Sequence, residues 1–134
     1  MTRTARVTLV AALGLVLTVA ACGGTDVATP PVLSGPAPAL DGTWDFDFDR
    51  ALVLCRGTMT IDGSTGSGTF TACYSQSGPV QGSVDANQNV VVLFSPAGLD
   101  PFWVRGKLST PTDILGLLYG IGWNGQQEFR AVRR

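Results

Sequence analysis

Gly42-Thr43-Trp44-Asp45-Phe46-Asp47-Phe48-Asp49 alternates strictly between large apolar and acidic side chains. A period of two puts Trp44, Phe46 and Phe48 on one face of an extended strand and the three aspartates on the other. A helix would scatter the same residues around its circumference, so the stretch reads as a strand with one dry face and one wet face. Strand signals continue from there. Residues 52–61 and 67–74 flank the turn-like Asp62-Gly63-Ser64-Thr65-Gly66, and residues 79–85 lead through 86–88 into the dense run 90–94. Residues 102–109 alternate again, and residues 114–123 and 126–133 are joined by Asn124-Gly125, a strong hairpin signal.

These are eight short strands. Arg56-Gly57-Thr58-Met59-Thr60, Gln81-Gly82-Ser83-Val84-Asp85 and Arg105-Gly106-Lys107-Leu108-Ser109 share one pattern, each followed by a turn and a second strand. Mid-strand glycines at such intervals fit consecutive hairpins that relieve crowding inside a coiled sheet. Closing the sheet removes its edges. The expected fold is therefore all-β, an eight-stranded antiparallel up-and-down meander closed into a small barrel; a two-sheet β-sandwich is the alternative.

Length and composition bound the rest. A chain of 134 residues holds one domain. Nine Lys+Arg against ten Asp+Glu leave a net charge of −1, which argues against an electrostatic nucleic-acid binder. The sequence contains no histidine, which removes Ser-His-Asp and Cys-His nucleophiles and every His-ligated metal or haem.

The first residues read as an address. Arg3 and Arg6 form a basic start, residues 7–20 are apolar apart from Thr8, Gly14 and Thr18, and Val19-Ala20-Ala21-Cys22 follows. That order is a secretory signal, and its apolar run is shorter than the roughly 20 residues of a spanning helix. Val19-Ala20-Ala21-Cys22 resembles the lipobox of bacterial lipoproteins. The resemblance implies a signal peptide over 1–21, cleavage before Cys22, and a diacylglyceryl thioether on Cys22, with palmitate-type acylation of the new amino terminus. Two or three acyl chains make a durable anchor where one does not. The protein is then expected in the bacterial cell envelope, tethered to a membrane with its domain on the extracytoplasmic side. Residues 22–40 carry four prolines and three glycines and read as an extended linker, leaving 41–134 as the barrel.

With Cys22 taken by lipid, Cys55 and Cys73 remain as a pair, and in an oxidising compartment a disulfide is the simplest reading. Their midpoint is Ser64, inside the Asp62–Gly66 turn, so symmetric pairing about that residue sets them opposite each other. No C-x-x-C motif supports a redox-active dithiol.

Gly42-Thr43-Trp44 at the start of the first strand resembles the Gly-x-Trp of the lipocalin and avidin superfamily, the calycins. The resemblance implies a barrel-closing tryptophan with an arginine of the last strand packed over it. Arg130, Arg133 and Arg134 are the available arginines, and Arg133 is the first choice. Fold analogy of this kind does not deliver function.

Little in the sequence carries chemistry. Alternate residues on a strand lie nearly 7 Å apart, so Asp45, Asp47 and Asp49 read as a solvated face rather than a metal or catalytic cluster. Trp103 shares a face with Arg105 and Lys107, and is either an exposed contact residue or the filling of a barrel end. In the last hairpin, Leu115, Leu117, Tyr119, Ile121 and Trp123 share one face against Ile114, Gly116, Leu118, Gly120 and Gly122. The larger set reads as core or cavity lining, although the pattern leaves both faces open. No catalytic residue, metal or cofactor is expected. The leading reading is a non-catalytic carrier of a small apolar or amphiphilic ligand, bound by Phe46, Phe48, Val92, Phe94 and Leu117. The alternative is an envelope protein–protein interaction factor, such as an assembly accessory or an inhibitor of a wall-degrading enzyme. A cavity of roughly 300 Å³ or more would favour the first, and a packed interior the second.

Overall fold

The computed structural model describes residues 29–50 and 53–134. Eight strands succeed one another: β1 (Gly42–Arg50), β2 (Val53–Asp62), β3 (Ser67–Thr71), β4 (Ser77–Val84), β5 (Asn89–Phe94), β6 (Phe102–Thr110), β7 (Asp113–Gly120) and β8 (Trp123–Arg133). Each pairs antiparallel with the next, and β8 returns to β1, closing the barrel. Across that seam Trp44 faces Arg133, Phe46 faces Ala131 and Phe48 faces Phe129. A sandwich would leave β1 and β8 as free edges, so the closed alternative is the one adopted.

The alternation of β1 sets which way everything points. Trp44, Phe46 and Phe48 are buried, and Asp45 and Asp49 are exposed. Inside, the barrel is filled with rings. All six phenylalanines of the chain (Phe46, Phe48, Phe70, Phe94, Phe102 and Phe129) are at most 6 % exposed. Phe94 lies 4.8 Å from Phe102 and 5.0 Å from Phe70, and Phe46 lies 5.2 Å from Phe94 and 5.5 Å from Phe129. Burying each ring contributes about 2–3 kcal/mol from area alone, and the offset and edge-on geometries add to it. Val80, Val90, Val92, Val104, Ile114 and Leu118 complete the packing. Room for the rings comes from inward glycines. A side chain at Gly57 would collide with the Phe46 ring, and one at Gly82 with Leu40.

Two local details differ from the sequence reading. The last hairpin turns at Ile121 and Gly122, between β7 and β8, rather than at Asn124-Gly125. Gly122 adopts a φ of +82°, which suits it to the tight turn. Gly125 adopts a φ of +79° inside β8, where a side chain would strike the Tyr119 ring. There the Asn-Gly pair forms a bulge: β8 carries two extra residues between the pairs Leu117–Glu128 and Tyr119–Asn124. Phe129 therefore faces Gly116 and Arg130 faces Leu115, where a two-residue turn at Asn124-Gly125 would set them against Gly120 and Tyr119.

The second difference lies before β1. Residues placed in the linker pack against the barrel. Ala37 and Leu40 are buried, a 3-10 turn spans Pro38–Leu40, and the Ala37 amide donates to the Gly63 carbonyl at 2.9 Å. The boundary at residue 41 thus cuts through a packed plug.

Candidate functional site

The two ends of the barrel are built differently. At the end where the chain enters, the Trp44 indole N–H donates to the Leu40 carbonyl at 2.9 Å. The Arg133 guanidinium lies 4.6 Å from the centroid of the Trp44 ring and donates to the Ala39 carbonyl. Arginine over indole is a favourable cation–π contact, and here it also ties the last strand to the entering turn. Leu40 and Trp44 are completely buried. This end is shut. The sequence expectation for the pair Trp44 and Arg133 matches the geometry found.

The other end carries the 3-10 turn Cys73–Ser75, the β5–β6 connection and the β7–β8 turn. Cys55 and Cys73 are joined by a disulfide, with Cα atoms 5.3 Å apart. Their pairing differs in detail from the symmetric expectation. Thr58 faces Thr71, so the hairpin axis falls between residues 64 and 65, and strand pairing stops before Cys73. The 3-10 turn Cys73–Ser75 follows, and its first residue carries the sulfur bonded to Cys55. Tyr74 and Ser75 hold φ values of 57° and 56°, unusual for non-glycine residues, right beside the disulfide. Tyr74 is 68 % exposed.

A hollow of about 170 Å³ opens at this end. Its lining combines the buried Phe48 and Phe102, the half-buried Trp123 and Gln76, Pro96, and the exposed Leu99, Asp100 and Ile121. Trp123 stands edge-on to Phe48 at 5.6 Å. Ile121 is 63 % exposed and Leu99 54 %, so two large aliphatic side chains stand in water beside an aromatic floor. Larger grooves occur on the outer wall. One of about 540 Å³ runs past Asp45, Asp47, Arg56 and Thr58; another of about 490 Å³ passes Leu54, Leu115, Leu117 and Arg130. Asp45 in the first is already engaged: Arg134 lies 2.8 Å away. The hydrogen bond from Arg134, followed by its charge, holds the Asp45 carboxyl below the usual carboxylate range.

The remaining expectations divide cleanly. Phe46, Phe48, Val92 and Phe94 do face the interior, but as tightly packed core. Leu117 does not join them. It lies on the outer wall because Ile114, Gly116, Leu118 and Gly120 take the inward positions of β7, where a side chain at Gly116 would strike Val104 and the Arg105 backbone, and one at Gly120 the backbone at Pro101 and Phe102. Trp103 is neither exposed nor a barrel end. It alternates with the inward Phe102 and Val104, pairs with Leu93 and Tyr119, and is only 2 % exposed. Asp47 pairs in register with Arg56 and Arg130 on the outer wall. Among the described residues no group of three or more His, Cys, Asp or Glu is placed to hold a metal, and no helix is long and apolar enough to cross a membrane. Cys22 lies outside the described residues. Sequence reading missed Leu99, which lies in a connection where no periodicity marks it, and placed Ile121 on a strand face with Leu115, Leu117, Tyr119 and Trp123, whereas it stands in the β7–β8 turn at the mouth.

No family model matches the chain, and no curated protein or solved structure matches it either.

Proposed function

We propose that this chain is a non-catalytic, lipid-anchored protein of the bacterial envelope whose barrel recognises a protein partner at its open end. The observation that carries the reading is the filled interior: six phenylalanine rings occupy the space a carrier would keep for its cargo. The hollow at the mouth is smaller than the roughly 300–1,000 Å³ typical of small-molecule sites. A non-catalytic role agrees with the placement of the aspartates on the outer wall, with Asp45 held in an ion pair. The anchor rests on the lipobox-like Val19-Ala20-Ala21-Cys22. On this reading the anchor at Cys22 lies on the side of the packed plug Ala37–Leu40, which leaves the open end free for a partner.

The second reading, carriage of a small apolar ligand, draws on the aromatic floor of Phe48 and Phe102 at the same mouth. Native mass spectrometry of the gently purified full chain separates the two. The expected result is a mass equal to the processed chain plus lipid, with Cys22→Ser abolishing both the lipid mass and membrane retention. A stoichiometric small molecule retained by the wild type would replace the partner reading with the carrier reading.

A further inference from the structure

We infer that the hollow at the open end seats a single aromatic side chain of a protein partner, with a neighbouring lysine or arginine of that partner placed on Asp100. The inference rests on the partner reading above and gives it a chemistry. Size points to one ring. An apolar cavity of about 150 Å³ takes up benzene, and the hollow here measures about 170 Å³. Its walls suit a ring as well: Phe48 and Phe102 lie beneath, and Trp123 stands beside them. Phe48 and Trp123 already meet edge-on, so an inserted ring would extend the same pattern of tilted contacts through the barrel.

The rim supplies the rest of the recognition. Leu99 and Ile121 are exposed apolar groups that a partner would cover, excluding water around the inserted ring. Among the described residues Asp100 is the only charged one lining the hollow, and it is exposed at the edge. A cation beside the ring would satisfy it. The rim is also tied covalently on one side: the Cys55–Cys73 disulfide joins the turn before β4, which carries Gln76, to β2. A preorganised rim lowers the ordering cost of binding.

The test uses the isotope-labelled full chain and three short capped peptides containing Lys-Phe, Glu-Phe or Lys-Ala, followed through the indole N–H resonances of Trp44, Trp103 and Trp123. The expected result is a saturable shift at Trp123 with the Lys-Phe peptide and none with Lys-Ala. Glu-Phe should bind about two- to fivefold more weakly, the range of one exposed ion pair. Asp100→Asn should level Lys-Phe and Glu-Phe while keeping ring binding. Ile121→Asp and, independently, Leu99→Asp should abolish the Trp123 response, with unchanged Trp44 and Trp103 resonances showing that the fold persists. Equal responses to Lys-Phe and Lys-Ala, a response confined to Trp103, or no saturable shift with any peptide would overturn the inference. If mass spectrometry shows the protein bare while Trp123 ignores the phenylalanine peptides, the inference alone is lost. A retained small molecule removes the partner reading beneath it.

Discussion

At the end where the chain enters, Trp44 is wholly buried, its indole is hydrogen-bonded and an arginine lies over it. At the opposite end Ile121 and Leu99 stand more than half exposed over the rings of Phe48 and Phe102. Both ends belong to the same aromatic core, yet only one is finished. The shut end is held by side-chain packing and by hydrogen bonds linking the Pro38–Leu40 turn to β1 and β8. The open end leaves apolar groups in water and is held by a covalent bond, Cys55–Cys73. Burial spent on closure stabilises the fold; apolar surface left uncovered is free to stabilise a complex.

That contrast predicts effects of different size at the two ends. Trp44→Ala removes the plug of the shut end, and chemical denaturation should show a loss of about 3–5 kcal/mol. Replacing both cysteines, Cys55→Ala with Cys73→Ala, should cost about 3 kcal/mol, the entropy of a loop of this size. Hydrogen exchange should then rise over Cys73–Ser75 while the Trp44 indole stays protected. If exchange rose equally at both ends, the division of labour between them would be wrong. Arg133→Lys keeps the charge but loses the planar stacking and the directed bond to Ala39. A loss of about 1–2 kcal/mol is expected by the same denaturation measurement.

The smallest effect is electrostatic. Arg134 lowers the pKa of Asp45 in the folded state, chiefly through its hydrogen bond and then through its charge. A folded carboxyl held below its unfolded value stabilises above the ordinary carboxylate range. That contribution disappears as pH falls through the folded value. An acid titration of Asp45→Asn should therefore show a slightly shallower loss of stability than wild type, and the difference should shrink in high salt.

Much of this architecture was legible in the sequence because strand periodicity leaves little freedom. A one-residue slip in β1 would have put three aspartates in the core, so its inward face was determined by Trp44, Phe46 and Phe48 alone. The pairing of Cys55 with Cys73 followed from few candidates, and that of Trp44 with Arg133 was implied by the resemblance of Gly42-Thr43-Trp44 to the calycin motif. The misreadings share a physical cause. Asn-Gly satisfies a left-handed backbone wherever one is needed, and here Gly125 uses it in a bulge while Gly122 makes the turn. In β7 both faces were apolar, so alternation did not distinguish the inward Ile114, Gly116, Leu118 and Gly120 from the outward Leu117, and the glycines point inward where the backbone at Arg105 and Pro101 comes close. Leu40 looked like linker because a single plug residue has no period. The open end was illegible because Leu99 and Asp100 in the β5–β6 connection meet Ile121 of the β7–β8 turn, a residue whose alternation read as strand.

A crystal structure of the protein under xenon pressure tests the central claim most directly, because xenon marks apolar space that no side chain fills. The account predicts no xenon among Phe46, Phe70, Phe94 and Phe129, and a bound atom at the mouth between Phe48, Phe102 and Trp123. Xenon inside the barrel, with the mouth empty, would contradict it.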